Sequence, residues 1–254
     1  MAIQLSIPQK WNDLNPRQIK KLAWLFGTEK SPKKIDLLIF FILVDMRWWQ
    51  LRKYRKVHKI IKLVGITELK EHYTWIYEKT DLTTFIPIKK IKGKRMHPPA
   101  DRISNLIIDE FAHADDLAIG FHNTKDLEYL HYLAAVLYRE LGPDKKRVPF
   151  CKEELDQRAK WFKKLSPKTL LAIYLCYQGN RDNLVNMHPI VFPKPKNPEN
   201  VKRKVRSSGL GKLILSFSGG KFGTYNETKN TNAYTFFNEF EEQLKNQKKQ
   251  PKHA

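Results

Sequence analysis

Apolar residues recur along most of the chain at the spacing of one helical face. Between Asn15-Pro16 and Gly27 the face is Ile19, Leu22, Ala23 and Phe26. An asparagine oxygen caps free backbone N–H groups, proline fits the first helical position, and glycine marks the stop. Ser31-Pro32 repeats the start signal for a helix through Ile35, Leu38, Ile39, Ile42 and Met46. A basic amphipathic continuation runs from Leu51 to Val64 and stops at Gly65. Thr67, with Glu71 nearby, opens a short helix through Leu69, Tyr73 and Ile76. From Asp81 to Pro99 the pattern changes. Thr83 to Ile88 reads as extended, Lys89 to Arg95 as a basic loop, and His97-Pro98-Pro99 closes the segment, which predicts a boundary between two halves.

Beyond the boundary, Asn105 is expected to cap a helix through Leu106, Phe111 and Ala114 as far as Phe121. Asn123-Thr124 is expected to start the next, through Leu127, Leu130, Ala134 and Leu137. So short a connection predicts antiparallel packing. After Gly142-Pro143 a basic loop leads to Pro149-Phe150, followed by a helix from Lys152 to Leu165. Ser166-Pro167 starts another, whose Leu170, Leu171, Ile173, Tyr174, Leu175 and Tyr177 are apolar nearly all round, the pattern of a central buried helix. Residues 189–208 carry four prolines and the run Lys202-Arg203-Lys204, and read as a solvated linker. Leu210 to Phe217 is a short apolar element stopped by Gly219-Gly220, and a last helix from Asn232 to Gln247 uses Tyr234, Phe237, Phe240 and Leu244 before a basic, frayed tail. The expected fold is all-α: a multi-helix globular core with antiparallel helix pairs, basic loops and a C-terminal helical appendage. It divides into a basic N-terminal subdomain (1–96), a helical core subdomain (100–188), a linker (189–208) and the appendage with its tail (209–254).

Composition adds a partner class. The 254 residues hold 47 Lys and Arg against 26 Asp and Glu, a formal charge of +21. The first hundred residues alone carry 21 cations and 8 acids. Such a surface attracts polyanions: nucleic acid, an anionic membrane or an acidic protein. The most apolar stretch, Ile35 to Trp49, is interrupted by Asp36, Asp45 and Arg47 and falls short of the roughly 20 residues that span a bilayer, so no membrane partner is expected. Cys151 and Cys176 lack metal spacing and read as free thiols in a reducing compartment. With no secretory signal in the opening residues, the expected location is cytoplasmic.

Catalytic signals are weak. Glu110-Phe-Ala-His113 and Glu128-Tyr-Leu-His131 are two Glu-x-x-His pairs, the type that carboxylate-bridged dimetal bundles place on separate helices. Here they fall on consecutive helices and lack two obvious further glutamates, so surface helix positions are the better expectation. His113-Ala-Asp115-Asp116 reads as a solvated face, because adjacent acids on a helix point in different directions. Neither Ser208-Gly-Leu-Gly-Lys212 nor Ser218-Gly-Gly-Lys-Phe-Gly223 has the spacing of a phosphate-cradling loop. No cofactor, metal or small-molecule substrate is expected, and no catalytic residue is assigned.

Binding signals are stronger. Arg47, Trp48, Arg52, Lys53, Arg55, Lys56, Lys59 and Lys62 interleave cations with aromatics over Arg47–Lys62. Cations neutralise phosphates and aromatic rings stack on bases, which suits a nucleic acid or an acidic partner. The alternative is that the tryptophans are core and the basic side is merely solvated. Lys92, Lys94 and Arg95 form a second candidate in a basic loop, and Lys202 to Arg206 a third.

Part of the chain has a familiar order: Leu133-Ala-Ala-Val-Leu-Tyr-Arg139, Arg147-Val-Pro-Phe150, Lys163-Lys-Leu-Ser-Pro167 and Pro189-Ile-Val-Phe192. Asp109-Glu110-Phe111-Ala112 precedes it, Gly220 to Asn232 follows it, and Ile7 to Trp11 with Leu14-Asn15-Pro16 matches in style. This order resembles an uncharacterised family encoded in phages and prophages of Bacteroidetes, among structural and tail genes. The resemblance implies a non-enzymatic virion component or assembly factor, such as a tail or connector module. Its expected partners are other phage structural proteins or further copies of itself, in the host cytoplasm or the virion. Nucleic acid is the alternative partner, and a metal-dependent helical enzyme a distant third reading.

Overall fold

The computed structural model describes residues 7–28, 32–46, 49–193 and 207–249. Ser31, Arg47, Trp48, the run from Lys202 to Arg206, most of the expected linker and the last residues of the tail lie outside them. The described chain is all-α. It forms α1 (Pro16–Gly27), α2 (Pro32–Leu43), α3 (Leu51–Val64), α4 (Ile66–Lys70), α5 (Ile108–Thr124), α6 (Leu127–Leu137), α7 (Leu155–Phe162), α8 (Pro167–Met187), α9 (Leu210–Phe217), α10 (Tyr225–Asn230) and α11 (Ala233–Lys249). Short 3-10 turns lie at Trp11–Asp13, Glu71–Tyr77 and Asp101–Ile103, and β pairing among the described residues is limited to isolated bridges.

The start signals work as their chemistry requires. Asn15 Oδ1 accepts from the N–H groups of Arg17 and Gln18, while Gln18 Oε1 accepts from Asn15 N at 2.9 Å, closing a reciprocal capping box ahead of Pro16. Ser166 caps α8 through Thr169 N, again with proline first. Other boundaries shift for local reasons. Asn105 does not cap α5. Its Oδ1 instead accepts from Ala100 N at 2.8 Å, and α5 begins after Ile107. Thr124 stays inside α5, its Oγ1 donating to Gly120 O, so Asp126 caps α6 instead. The helix expected from Lys152 to Leu165 is confined to Leu155–Phe162, and the one beyond Thr67 tightens into a 3-10 turn at Glu71.

Helices α5 and α6 are antiparallel. Gly120 faces Tyr129 at one end, and Glu110 meets Arg139, just past α6, at the other. Helix α8 is the spine, with α1 along one side and α6 along another. Leu170, Ala172, Ile173, Cys176, Tyr177 and Leu184 are buried on it, whereas Leu171, Tyr174 and Leu175 are only half-buried and line a cleft. The segment expected to separate two halves threads through the packing. Leu82, Ile86, Ile91 and Met96 are buried, and a Cβ on Gly179 would lie 2.6 Å from Leu82 N. The buried residues, from Trp11 to Phe237, form one cluster that includes α9 and α11.

Candidate polyanion-binding surface

Helix α3 is anchored by one strip and leaves the rest of its surface in solvent. Val57 is its buried residue, and Ile60 and Ile61 are half-buried beside it. Gly65, at φ 85°, ends the helix by donating its N–H to Ile61 O, a conformation that a β-carbon would strain. Arg52, Arg55, Lys56, Lys59 and Lys62 follow the i, i+3, i+4, i+7 spacing of one face. All five are exposed, and none has a hydrogen bond or ion pair with another described residue. The face runs about 15 Å by helical rise. Trp49 (54% exposed) precedes it, and Tyr54 (48% exposed) stacks on His58 at 6.1 Å between ring centroids.

Lys53 differs from its neighbours. It is half-buried, and its Nζ donates to Val44 O at 2.6 Å, just past the C-terminus of α2. A cation at a helix C-terminus satisfies a carbonyl that has no partner within the helix. Lys53 thus makes a structural contact that the other cations of α3 do not. Arg47 and Trp48 lie outside the described residues.

The second candidate does not join the first. Ile91 and Lys94 exchange backbone hydrogen bonds across a tight turn, in which Lys92 and Gly93 both have positive φ. Lys94 Nζ pairs with Glu140 at 3.1 Å, and Lys92 Nζ sits 4.6 Å from the centroid of Trp161 on α7. Arg95 remains exposed without a described partner.

A second cationic stripe lies on α1, on the side away from its apolar face. Arg17, Lys20, Lys21 and Trp24 share the face opposite Gln18, Ile19, Leu22 and Ala23. Lys20 is held below its usual pKa by burial and by Lys89, and Lys21 by burial with Arg17 and Lys168 beside it. Lys168 Nζ lies 5.4 Å from the Trp24 ring centroid. Helices α1 and α3 both bond to the end of α2, through side chains outside the two cationic faces. From α1, Gln18 donates to Ile42 O and Leu43 O, and from α3, Lys53 donates to Val44 O. Asp45, next along, accepts from Asn15 at 3.3 Å and is the acid at that junction. The signal was legible in the order Arg17-x-x-Lys20-Lys21-x-x-Trp24. Only the fold adds Lys89 and Lys168.

The suspected acid–base residues are occupied otherwise. Glu110 is buried, not on the surface. Arg139 reaches one of its oxygens at 2.6 Å and Arg147 the other at 2.7 Å. Burial pulls Arg139 down to about 10, with Glu110 opposing and Arg147 and Arg158 adding to the effect. Asp115 is likewise buried, held by Arg181 and Tyr177, and only Asp116 is exposed, accepting from Ser208 N and Oγ. The expectation of a solvated face fails because Asp115 points toward α8. Among the described residues no cluster of three His, Cys, Asp or Glu is placed to hold a metal ion, and no helix is long and apolar enough to cross a membrane. Comparison of the chain with family models, with curated proteins and with solved structures finds no match.

Proposed function

We propose that this chain is a non-enzymatic binding protein that holds single-stranded nucleic acid along α3. The observation that carries the reading is the face of five exposed cations without acidic partners among the described residues. Guanidinium and ammonium groups left unpaired at a surface neutralise phosphates at little desolvation cost, and association releases the counterions condensed on the strand. Exposed aromatics beside the cations, Trp49 and Tyr54, favour unpaired bases, whose faces are open to stacking.

The test is fluorescence anisotropy with labelled single-stranded and duplex oligonucleotides across a salt series. If all five cations contact a single strand, log affinity falls with log salt at a slope of about −3.5. The variant R52E/R55E/K56E/K59E, which spares the structural Lys53, is expected to abolish binding at physiological salt. Affinity that is flat in salt, or unchanged in the variant, sinks the reading.

A second reading is a phage structural or assembly component acting through protein–protein contacts. It is supported by the resemblance noted in the sequence and by Leu51, Leu63 and Val64, which are exposed on the same helix. An apolar interface is much less sensitive to salt than phosphate contacts are, so the same series separates the two.

A further inference from the structure

The apolar side of α8 that fails to be buried opens onto a cleft of about 700 Å3 between α1, α5 and α8. Its walls carry four aromatic rings, Trp24, Phe26, Phe121 and Tyr174, of which Phe121 and Tyr174 meet edge to face with centroids 4.8 Å apart. Two basic side chains, His122 and Lys125, are among its lining residues, and no carboxylate of the described residues lines it. Lys125 Nζ lies 5.7 Å from the Phe121 centroid, and Lys168, over Trp24, belongs to the α1 stripe. Gln178, which lines the cleft, uses one N–H on Tyr174 Oη at 3.0 Å, and its carbonyl oxygen and second N–H have no described hydrogen-bond partner.

These features select one kind of occupant. Apolar rings alone would suit any hydrophobe, but lysines beside the rings, with no acid among the described lining residues, favour a ligand that is aromatic and anionic together. An amide with a donor and an acceptor to spare matches the edge of a base, as in the recognition of unstacked nucleotides. The α1 cations point the same way, because Lys168, which lies beside Lys21, also sits over Trp24 on the cleft wall. We infer that the cleft between α1, α5 and α8 takes a single unstacked nucleotide, its base among Trp24, Phe121 and Tyr174 and its phosphate near Lys125 and Lys168. This rests on the nucleic-acid reading above, since the nucleotide would belong to the same class of ligand.

The test uses the full chain and adenosine 5′-monophosphate, with ribose 5-phosphate as the control lacking a base, both by titration calorimetry. Saturable binding of the nucleotide at one site per chain is expected, with ribose 5-phosphate weaker by roughly ten-fold or more. Two variants are aimed at the cleft. Q178E keeps size but adds an anion, and L171W fills the space; each is checked for native circular dichroism and thermal midpoint. Either is expected to weaken the nucleotide by about ten-fold or more while leaving the salt slope of a long oligonucleotide in place. The α3 variant R52E/R55E/K56E/K59E is expected to lose the oligonucleotide and keep the mononucleotide. No nucleotide binding at millimolar concentration overturns the inference. So does equal binding of the two ligands, or an unchanged affinity in folded Q178E and L171W. In each case a surviving oligonucleotide salt slope leaves the α3 reading standing by itself.

Discussion

Glu110 shows how much one side chain can decide. Its carboxylate is buried between Arg139 and Arg147, each reaching a separate oxygen. Replacing it with glutamine leaves two buried guanidinium groups without an anion, which costs far more than the pair contributes over apolar packing. The expected loss for E110Q is about 3–5 kcal/mol, a large part of a domain's stability, read as a drop in the urea midpoint. His113, one turn along, gives a titratable signal. Its Nδ1 lies 3.2 Å from Asp109 Oδ1, and that hydrogen bond raises its pKa, with burial opposing. A histidine raised in the folded state adds stability that is complete below the unfolded value and is lost as pH rises through the folded one. His131 is lowered, chiefly by burial, and contributes with the opposite sign. The comparison to make is therefore wild type against H113Q, with the wild-type advantage larger at pH 5 than at pH 8. An advantage that grew with pH would contradict the assignment.

At the scale of elements, the connections between helices carry the specificity. Gly179 is where α8 lets the chain at Leu82 approach its backbone, and a methyl group there has no flexible side chain to displace. G179A is expected to cost about 1–3 kcal/mol by overpacking, although alanine is the better helix former. Lys53 is the corresponding device for α2. K53A removes a charged donor from Val44 O and should destabilise by about 1 kcal/mol, while K56A, one turn position on and fully solvent-facing, should leave the thermal midpoint unchanged. Equal effects of the two would place Lys53 among the surface cations after all.

For the whole molecule, +21 is a repulsive load as well as a docking field. The five α3 cations pair with no acid among the described residues, so reversing four of them relieves like-charge repulsion instead of breaking contacts. The α3 variant should unfold at the same temperature as wild type or above it in low salt. The gap should close near physiological ionic strength, where charges beyond about 8 Å are screened. A lower midpoint at both salts would show that the face is knit into the fold. The net charge is also distributed by the fold. Lys94, Arg139, Arg147, Arg158 and Arg181 are committed to Glu140, Glu110 and Asp115, whereas the five cations of the α3 face pair with no described acid.

The sequence by itself determined what local chemistry can determine. The all-α class, the capped starts at Asn15-Pro16 and Ser166-Pro167, the stop at Gly65 and the basic face of α3 all follow from spacing and from single side chains acting on their own backbone. Where Asn105 and Thr124 chose other partners, the local signal misplaced a boundary, since the same side-chain oxygen serves a turn or a helix equally well. Only the tertiary structure decided which charges are spent. Glu110 and Asp115 look like surface acids in a sequence of amphipathic helices. They are buried because arginines from far along the chain arrive beside them. The α8 cleft was hidden for the same reason. An apolar helix reads as buried on every side, and whether one side stays open depends on how closely its neighbours pack, which no local pattern encodes.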